Sequence, residues 1–360
     1  MLQIQPEDIV RSGPNRYICQ EGILKNISNL VNEFDSPTIL TGYKSFQAFS
    51  DYAETIPEKC TVIQHVGYCS LEAINQIASQ AKQADVIIGI GGGIILDTAK
   101  AVADQLNIEV VTIPTVAGTC AAATPLSVVY SDEGSFLQVA YHTRSSSLTI
   151  IDPAFLVNSP INYLKSGIGD TLAKWYEAEA VIRYAKDDRS QSLMVQAGLN
   201  QSIYLRDILL REGSDAVADS EQGIVTTSFT RVIEAIITLS GTVGGFAGRY
   251  GRIAGAHAIH NGLSFIEETH DILHGQKVAY GILVQLALEK RTNEIAEMLP
   301  FYKKLGFPTN FSDLGITTNQ ENARKIIAAH AVKPEESLQL MGDYNADDVI
   351  HALQYLDKLQ

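Results

Sequence analysis

The sequence predicts two domains: an α/β domain built on a parallel sheet, spanning 1–155, and an all-α domain spanning 156–360. Two observations carry this expectation. Up to about residue 155, short β-like runs alternate with helical patterns, and such alternation folds as parallel strands joined by crossover helices. After Asp152-Pro153 long helical patterns take over and strand signals nearly vanish.

Taken in order, residues 37–40 (PTIL) and 60–65 (CTVIQH) read as strands. Residues 71–83 read as a helix, with Leu71, Ile74, Ile77 and Ala81 on one face. Residues 85–90 (DVIIGI) form a continuous apolar run, as in a strand buried on both faces. A helix over 94–106 follows, then a strand over 109–113 (EVVTI) stopped by Pro114, and further strands over 126–130 and 148–151. Ser159-Pro160 reads as an N-cap and first helical residue. Helices near 321–331 and 346–359 close the chain.

Composition narrows the function classes. A hydrophobic content of 46% and a charged content of 19% fit a soluble globular protein. The net charge of −14 argues against a nucleic-acid partner, which would need a basic face. No apolar run reaches transmembrane length, so no membrane partner is expected. The opening MLQIQPEDIV lacks the basic region and apolar core of a secretory leader. Cys19, Cys60, Cys69 and Cys120 show no paired spacing, which fits a reduced, cytoplasmic protein.

Three stretches carry chemistry. Gly89-Ile90-Gly91-Gly92-Gly93 follows a strand and opens a helix, so its backbone can approach a pyrophosphate at a helix N-terminus. The spacing departs from the G-x-G-x-x-G fingerprint at Ile94, and no Gly-Lys-Ser/Thr follows. A tight turn is the plainer reading, and Asp97 and Lys100 on the following helix can pair locally. Residues 112–130 (TIPTVAGTCAAATPLSVVY) are small and hydroxylated, which suits a loop against a ligand or an ordinary surface loop. The stretch 249–278 holds four of the eight histidines, at 257, 260, 270 and 274. Spacings of three and four put each pair on one helix face. A catalytic zinc needs about three protein ligands with one position open, and imidazole is its commonest ligand. The nearest candidate third ligand lies in 166–175 (SGIGDTLAKW). Paired histidines on helices serve equally as surface or capping groups.

Together, GIGGGIILDTAKAVAD (89–104), PTVAGTCAAATPLSVVY (114–130), GIGDTLAKWYEA (167–178) and AGAHAIHNG with HGQKVAYGILVQLAL (254–288) resemble the iron-containing alcohol dehydrogenase family, in its glycerol dehydrogenase branch. The resemblance implies a dehydroquinate synthase-like architecture. An N-terminal dinucleotide-binding domain and a helical domain would flank a metal and substrate cleft, in a homo-oligomer. By position, Asp170, His257 and His274 match the metal ligands, and Gly91, Gly92 and Gly93 match the pyrophosphate loop. Thr115, Thr119, Thr124, Leu126 and Tyr130 match the cofactor-facing loop and strand, and Asp97 is counted with them. Iron-dependent members carry a histidine four residues after the aspartate, where this chain has Lys174. Three ligands with an open position suit Zn2+ better than iron. His260 is open to three roles: relaying a proton, orienting a ligand, or packing. His270 reads as a solvated helix residue.

Departures from glycerol dehydrogenases set the expected substrate. Cys120 stands where they carry an aspartate, and Lys174 where they carry a small neutral residue. Arg249 and Arg252 replace an acidic residue and a glycine. Each change moves the site towards positive charge, as binding a small anionic substrate requires, and Lys or Arg pairs strongly with a carboxylate. A salt bridge from Lys174 to Glu177 or Asp170 is the plainer alternative. Gly42 occupies the position of the acid that binds the ribose 2′-OH, and Lys44 and Ser45 follow it, so NADP(H) is favoured over NAD(H). The combination is most similar to the hydroxycarboxylate dehydrogenases of the family. It implies hydride transfer between NADP(H) and a 2-oxo acid, with Lys174 and His260 as catalytic candidates. The rivals are an NAD-dependent glycerol dehydrogenase, a dehydroquinate synthase-like cyclase and a cofactor-binding protein without catalysis.

Overall fold

A computed structural model describes residues 5–57 and 59–359; the first four residues of the stretch read for a leader lie outside them. The strands are β1 (Tyr17–Cys19), β2 (Pro37–Thr41), β3 (Thr61–Gln64), β4 (Val86–Gly91), β5 (Glu109–Pro114), β6 (Leu126–Tyr130), β7 (Phe136–Tyr141) and β8 (Leu148–Ile151). Six of them form one parallel sheet in the order β1-β8-β5-β4-β2-β3. The helices among and just after these strands are α1 (Ile27–Leu30), α2 (Tyr43–Ala53), α3 (Leu71–Gln80), α4 (Gly93–Leu106) and α5 (Pro153–Leu156). Then come α6 (Ile161–Tyr184), α7 (Leu193–Gln222), α8 (Thr227–Glu234), α9 (Ser240–Ala247), α10 (Gly255–Leu263), α11 (His274–Leu288), α12 (Thr292–Leu305), α13 (Gln320–Ala331) and α14 (Ala346–Leu356). Among the described residues, no strand follows Ile151, and no single helix is long and apolar enough to cross a membrane.

The apolar run of β4 is buried on both faces, as its composition requires. Val86, Ile88 and Ile90 join the hydrophobic cluster on one side of the sheet, and Ile87 joins the one on the other. A third and larger cluster unites the helices from α6 onward and reaches Leu96, Ala117 and Ala122 of the α/β part. The helical part therefore packs against the C-terminal end of the sheet, where α4 begins.

Three elements differ from the sequence reading. β1 is three residues long, too short to show a pattern. Residues 126–130, expected with the parallel sheet, pair antiparallel with β7 in a separate hairpin. The cause lies in α4. Lys100 Nζ donates to the carbonyls of Thr124 and Leu126, and the Asp97 carboxylate accepts Val128 N–H at 3.0 Å. The hairpin is thus held on α4 rather than on the sheet. Finally, α6 starts at Ile161 with Pro160 in the cap position, one residue later than the Ser159-Pro160 reading. Asp152 caps the preceding helix instead. Its Oδ1 accepts from Ala154 N–H at 3.1 Å, and the same carboxylate takes the N–H groups of Gly22 and Leu24 at 2.9 and 3.0 Å.

Candidate metal centre and cofactor cleft

Two glycines bring the metal-ligand candidates together. A Cβ on Gly275 would stand 1.8 Å from the Ser166 carbonyl oxygen, and one on Gly169 would stand 2.3 Å from the Gly275 carbonyl. Only glycine lets α11 begin this close to α6, and Gly275 N–H donates to Ser166 Oγ at 3.0 Å. Asp170 on α6 therefore meets His274, the first residue of α11. His257, on the first turn of α10, completes the group.

Asp170 Oδ1 lies 3.3 Å from His257 Nε2 and 3.5 Å from His274 Nε2. One donor atom from each residue falls within 4.8 Å of the others. Asp170 and His257 are buried and His274 is exposed, so the group opens on one side only. Asp170 Oδ1 is buried yet accepts no properly directed hydrogen bond. An orphaned buried carboxylate oxygen flanked by two imidazole nitrogens fits a divalent metal with O and N preference.

Around this group the charges are compensated. Glu177, two turns along α6, is buried and accepts from His257 Nδ1 at 2.8 Å. Burial disfavours the charged His257 ring, but Glu177 and Asp170 outweigh it and push its pKa up to about 9. Burial likewise opposes ionisation of Asp170, and the flanking histidines with Lys174 overcome it, holding the carboxyl well below the usual range. His260 is kept neutral, by burial first and by the neighbouring cationic groups second. Both its nitrogens are engaged, Nε2 with His274 Nδ1 and Nδ1 with Asn261 Oδ1, each at 3.0 Å. These two bonds have the geometry that orienting a ligand, one of the three roles open to His260, requires.

The positive residues separate. Lys174 is buried one turn from Asp170 and donates to the Arg252 carbonyl at 2.9 Å. Among the described residues it forms no ion pair with Asp170 or Glu177, so the simple salt-bridge reading is replaced by a carbonyl contact. Arg249 forms a two-pronged pair with Asp8, at 3.1 and 2.8 Å, which ties it to the N-terminal segment. Arg252 lies over the Tyr141 ring, 5.1 Å from its centroid. His270 is exposed, as expected.

A cleft of about 150 Å3 joins the two halves of the site. Its walls include Gly92, Gly93, Pro114, Thr119, Tyr163 and His274, so the glycine turn and a metal-ligand candidate face the same space. Gly92 is the N-cap of α4 and Gly93 its first residue, which leaves backbone donors and the positive end of the helix free. Gly91 packs where a Cβ would lie 2.6 Å from that of Ile95. Thr115 N–H donates to the Gly91 carbonyl at 3.1 Å and fixes the loop to the glycine turn. Thr124 is buried, with its hydroxyl 3.3 Å from the Cys120 carbonyl. Leu126 opens the hairpin, and the Tyr130 ring sits 5.8 Å from that of Tyr68, with burial pushing the phenol up to about 12. Asp97 pairs with Lys100 at 2.9 Å and holds the hairpin through Val128 N–H. On the neighbouring strand, at the same C-terminal end of the sheet, Gly42 is the N-cap of α2, and its N–H donates to Ser45 Oγ at 3.0 Å. Ser45 is thus spent on the local cap, and Lys44 beside it is exposed.

Sequence reading missed Glu177, Tyr163 and Asn261. For Glu177 a signal existed: Asp170, Lys174 and Glu177 stand at i, i+4 and i+7, one face of a helix.

Known proteins resemble this chain in sequence and fold. Residues 14–153 match the model described as iron-containing alcohol dehydrogenase. Hydroxycarboxylate dehydrogenase A of Escherichia coli (strain K12) is 39% identical over 287 residues, 79% of this chain and 78% of that protein. Glycerol dehydrogenase of Pseudomonas putida is 33% identical over 357 residues, 96% of each chain. The crystal structure of a probable glycerol dehydrogenase from Sinorhizobium meliloti 1021 superposes with a TM-score of 0.84 at 27% identity, covering 97% of this chain and 98% of that one. The chain belongs to the iron-containing alcohol dehydrogenase family, in its glycerol dehydrogenase branch. It is an oxidoreductase acting on alcohol groups, and the two-domain architecture expected from the resemblance is the one observed.

Proposed function

We propose that this oxidoreductase transfers hydride between NADP(H) and a small 2-oxo acid/2-hydroxy acid pair, with one Zn2+ held by Asp170, His257 and His274. Bound there, a divalent ion supplies Lewis acidity to a substrate carbonyl. The chain's own residues do the rest. Glu177 holds the His257 ring in place through Nδ1. Gly92 and Gly93 present backbone N–H groups to the pyrophosphate, and Thr119 and Tyr163 wall the cleft against water. Lys174 supplies positive charge where a substrate carboxylate would sit, with Arg252 behind it.

The observation that carries the anionic substrate is Lys174 itself, an ammonium buried one turn from Asp170 that forms no direct ion pair with a carboxylate among the described residues. Cys120, in place of an acid, agrees with it, as does the likeness to a hydroxycarboxylate dehydrogenase. The second reading is an NAD-dependent polyol dehydrogenase, favoured by the glycerol dehydrogenase that matches 96% of the chain. A soluble cytoplasmic homo-oligomer is part of the proposal.

The deciding experiment measures NADPH oxidation with zinc present, comparing 2-oxobutyrate and 2-oxoglutarate with dihydroxyacetone, then repeats the best substrate with NADH. Turnover of an oxo acid with NADPH supports the proposal. Preference for dihydroxyacetone with NADH replaces it with the polyol reading.

A further inference from the structure

A row of hydrogen bonds leads away from the metal-ligand candidates to a residue with no part in the chemistry above. His274 Nδ1 lies 3.0 Å from His260 Nε2, and His260 Nδ1 lies 3.0 Å from Asn261 Oδ1. Asn261 Nδ2 donates to Glu336 Oε2 at 2.9 Å. We propose that Glu336 is a positioning residue of the metal centre. Through Asn261 and His260 it holds His274 in the one proton arrangement that leaves Nε2 free for a cation.

The direction of the row follows from the donor inventory. A neutral imidazole carries one N–H. His274 faces Asp170 Oδ1 with Nε2, the atom that must be bare to bind a metal, so its proton sits on Nδ1. That N–H requires an acceptor, which makes His260 Nε2 bare and puts the His260 proton on Nδ1. This second N–H requires the oxygen of Asn261, which turns the amide nitrogen toward Glu336. A carboxylate accepts and does not donate, so it tolerates only that amide orientation. If the amide turned over, its nitrogen would face His260 Nδ1. The whole row would then reverse, and the His274 proton would move onto Nε2. The choice between the two arrangements rests on the last member.

Glu336 is itself held firmly. It precedes the turn Ser337–Leu340, whose Ser337 Oγ donates to the Ala254 carbonyl at 2.6 Å. The N–H of the same Ala254 donates to Glu177 Oε1 at 2.6 Å. The carboxylate that orients His257 and the turn that carries Glu336 are therefore fastened to one residue at the head of α10. Each histidine of the centre ends on a glutamate, directly for His257 and through two side chains for His274. Partners behind a metal-bound histidine that fix its tautomer commonly set metal affinity.

This inference rests on the proposed metal site but on neither the proposed substrate nor the nucleotide. It is tested on the full chain labelled with 15N at histidine. In the metal-free protein, NMR should show His260 and His274 both protonated at Nδ1; protonation of either at Nε2 overturns the proposal. E336A should bind zinc about 10- to 100-fold more weakly in competition with a chelator, and should show His274 partly protonated at Nε2. E336Q can accept from or donate to the Asn261 amide, so it no longer selects one orientation and should also show His274 partly protonated at Nε2. Zinc affinity unchanged in E336A overturns the proposal, as does weakened binding with the ring pattern intact. An E336Q ring pattern identical to wild type does so too. If E336A fails to fold, the wild-type ring pattern and E336Q decide. Nδ1 protonation of both rings in a protein inactive on oxo acids would uphold this inference while removing the substrate proposal.

Discussion

Glu177 Oε2 lies 2.8 Å from Nδ1 of His257, while its Oε1 accepts the backbone N–H groups of Ala254 and His257 at 2.6 and 2.9 Å. One buried carboxylate thus fixes both the ring and the backbone of a metal-ligand candidate. Its three bonds set the start of α10 and aim His257 Nε2 at Asp170.

Replacing this carboxylate removes charge and leaves one amide oxygen for three donors. E177Q should lower zinc affinity about 10- to 100-fold. It should also cost about 1.5–3 kcal/mol of stability, the range for a hydrogen bond to a charged group. Chelator competition and urea unfolding measure the two effects. Wild-type zinc affinity in a folded E177Q would show that His257 is oriented by packing alone.

Lys174 offers a test of substrate class. A charge-assisted carboxylate contact of about 1.5–3 kcal/mol corresponds to about one to two orders of magnitude in kcat/KM. K174M should lose that much toward 2-oxo acids and far less toward dihydroxyacetone, which has no carboxylate. Lys174 also supports the Arg252 carbonyl, so a structural role alone would depress both substrates alike. The ratio of the two therefore carries the information.

Gly275 tests how the site is assembled. Its missing Cβ would stand 1.8 Å from one backbone oxygen and 2.9 Å from Ser166 Oγ, and backbone yields little. G275A should destabilise the fold by about 1–3 kcal/mol or more, as overpacking does. Because His274 is the preceding residue and opens the same helix, zinc affinity should fall as well. Thermal unfolding with and without zinc separates the effects, and an unchanged Tm would mean that α6 and α11 are less tightly fixed than the contact implies.

The parts of the fold legible in the sequence are those where a local pattern and its tertiary role coincide. DVIIGI is apolar because both faces of β4 are covered, and the glycine turn is visible because a helix must begin on it. The metal ligands came from a resemblance, since 3.6-residue spacing alone leaves paired histidines open to a surface role. What stayed hidden depends on long-range placement. Nothing local to Arg249 announces that Asp8, 241 residues earlier, will take its guanidinium. Nothing in FLQVAY says that it will pair with β6, because its outer face is largely exposed and shows no apolar alternation. Asn261 and Glu336 meet only because the turn after α13 folds back onto α10.

His142 makes stability depend on pH. It is buried, with Nε2 2.7 Å from Ser127 Oγ and Nδ1 3.5 Å from Asp104. Burial lowers its pKa below the ordinary 6.5, and Lys100 adds to this against the opposing pull of Asp104. The unfolded chain therefore gains a proton near pH 6.5 that the folded chain refuses. Stability should fall as the pH drops through that value, with a limiting slope for one proton of about 1.4 kcal/mol per pH unit. H142Q should flatten this part of the profile of urea midpoint against pH. An identical slope in the variant would assign the acid sensitivity to other groups.

Gly42 offers a test of the proposed preference between the two nicotinamide cofactors. It ends β2 with φ −95° and ψ 167°, a conformation open to any residue, and it is the N-cap of α2. A Cβ there would crowd Ser45 Oγ, at 3.3 Å, a contact that a small hydroxyl rotation relieves, and would meet the His65 carbonyl and Ile95 Cδ1 at ordinary contact distances of 3.8 and 3.9 Å. Aspartate is a favoured N-cap residue, so G42D should fold at least as well as wild type. An acid at this position binds a ribose 2′-OH and repels a 2′-phosphate. G42D should therefore lower kcat/KM for NADPH by about one to two orders of magnitude and leave NADH equal or better, on the scale of one charge-assisted contact. K44A should weaken NADPH alone, because Lys44 is exposed beside the cap and supports no packing. Steady-state kinetics with both nucleotides on the three proteins give the answer. If wild type already prefers NADH, or if neither change moves the ratio, the 2′-phosphate is not read at the end of β2.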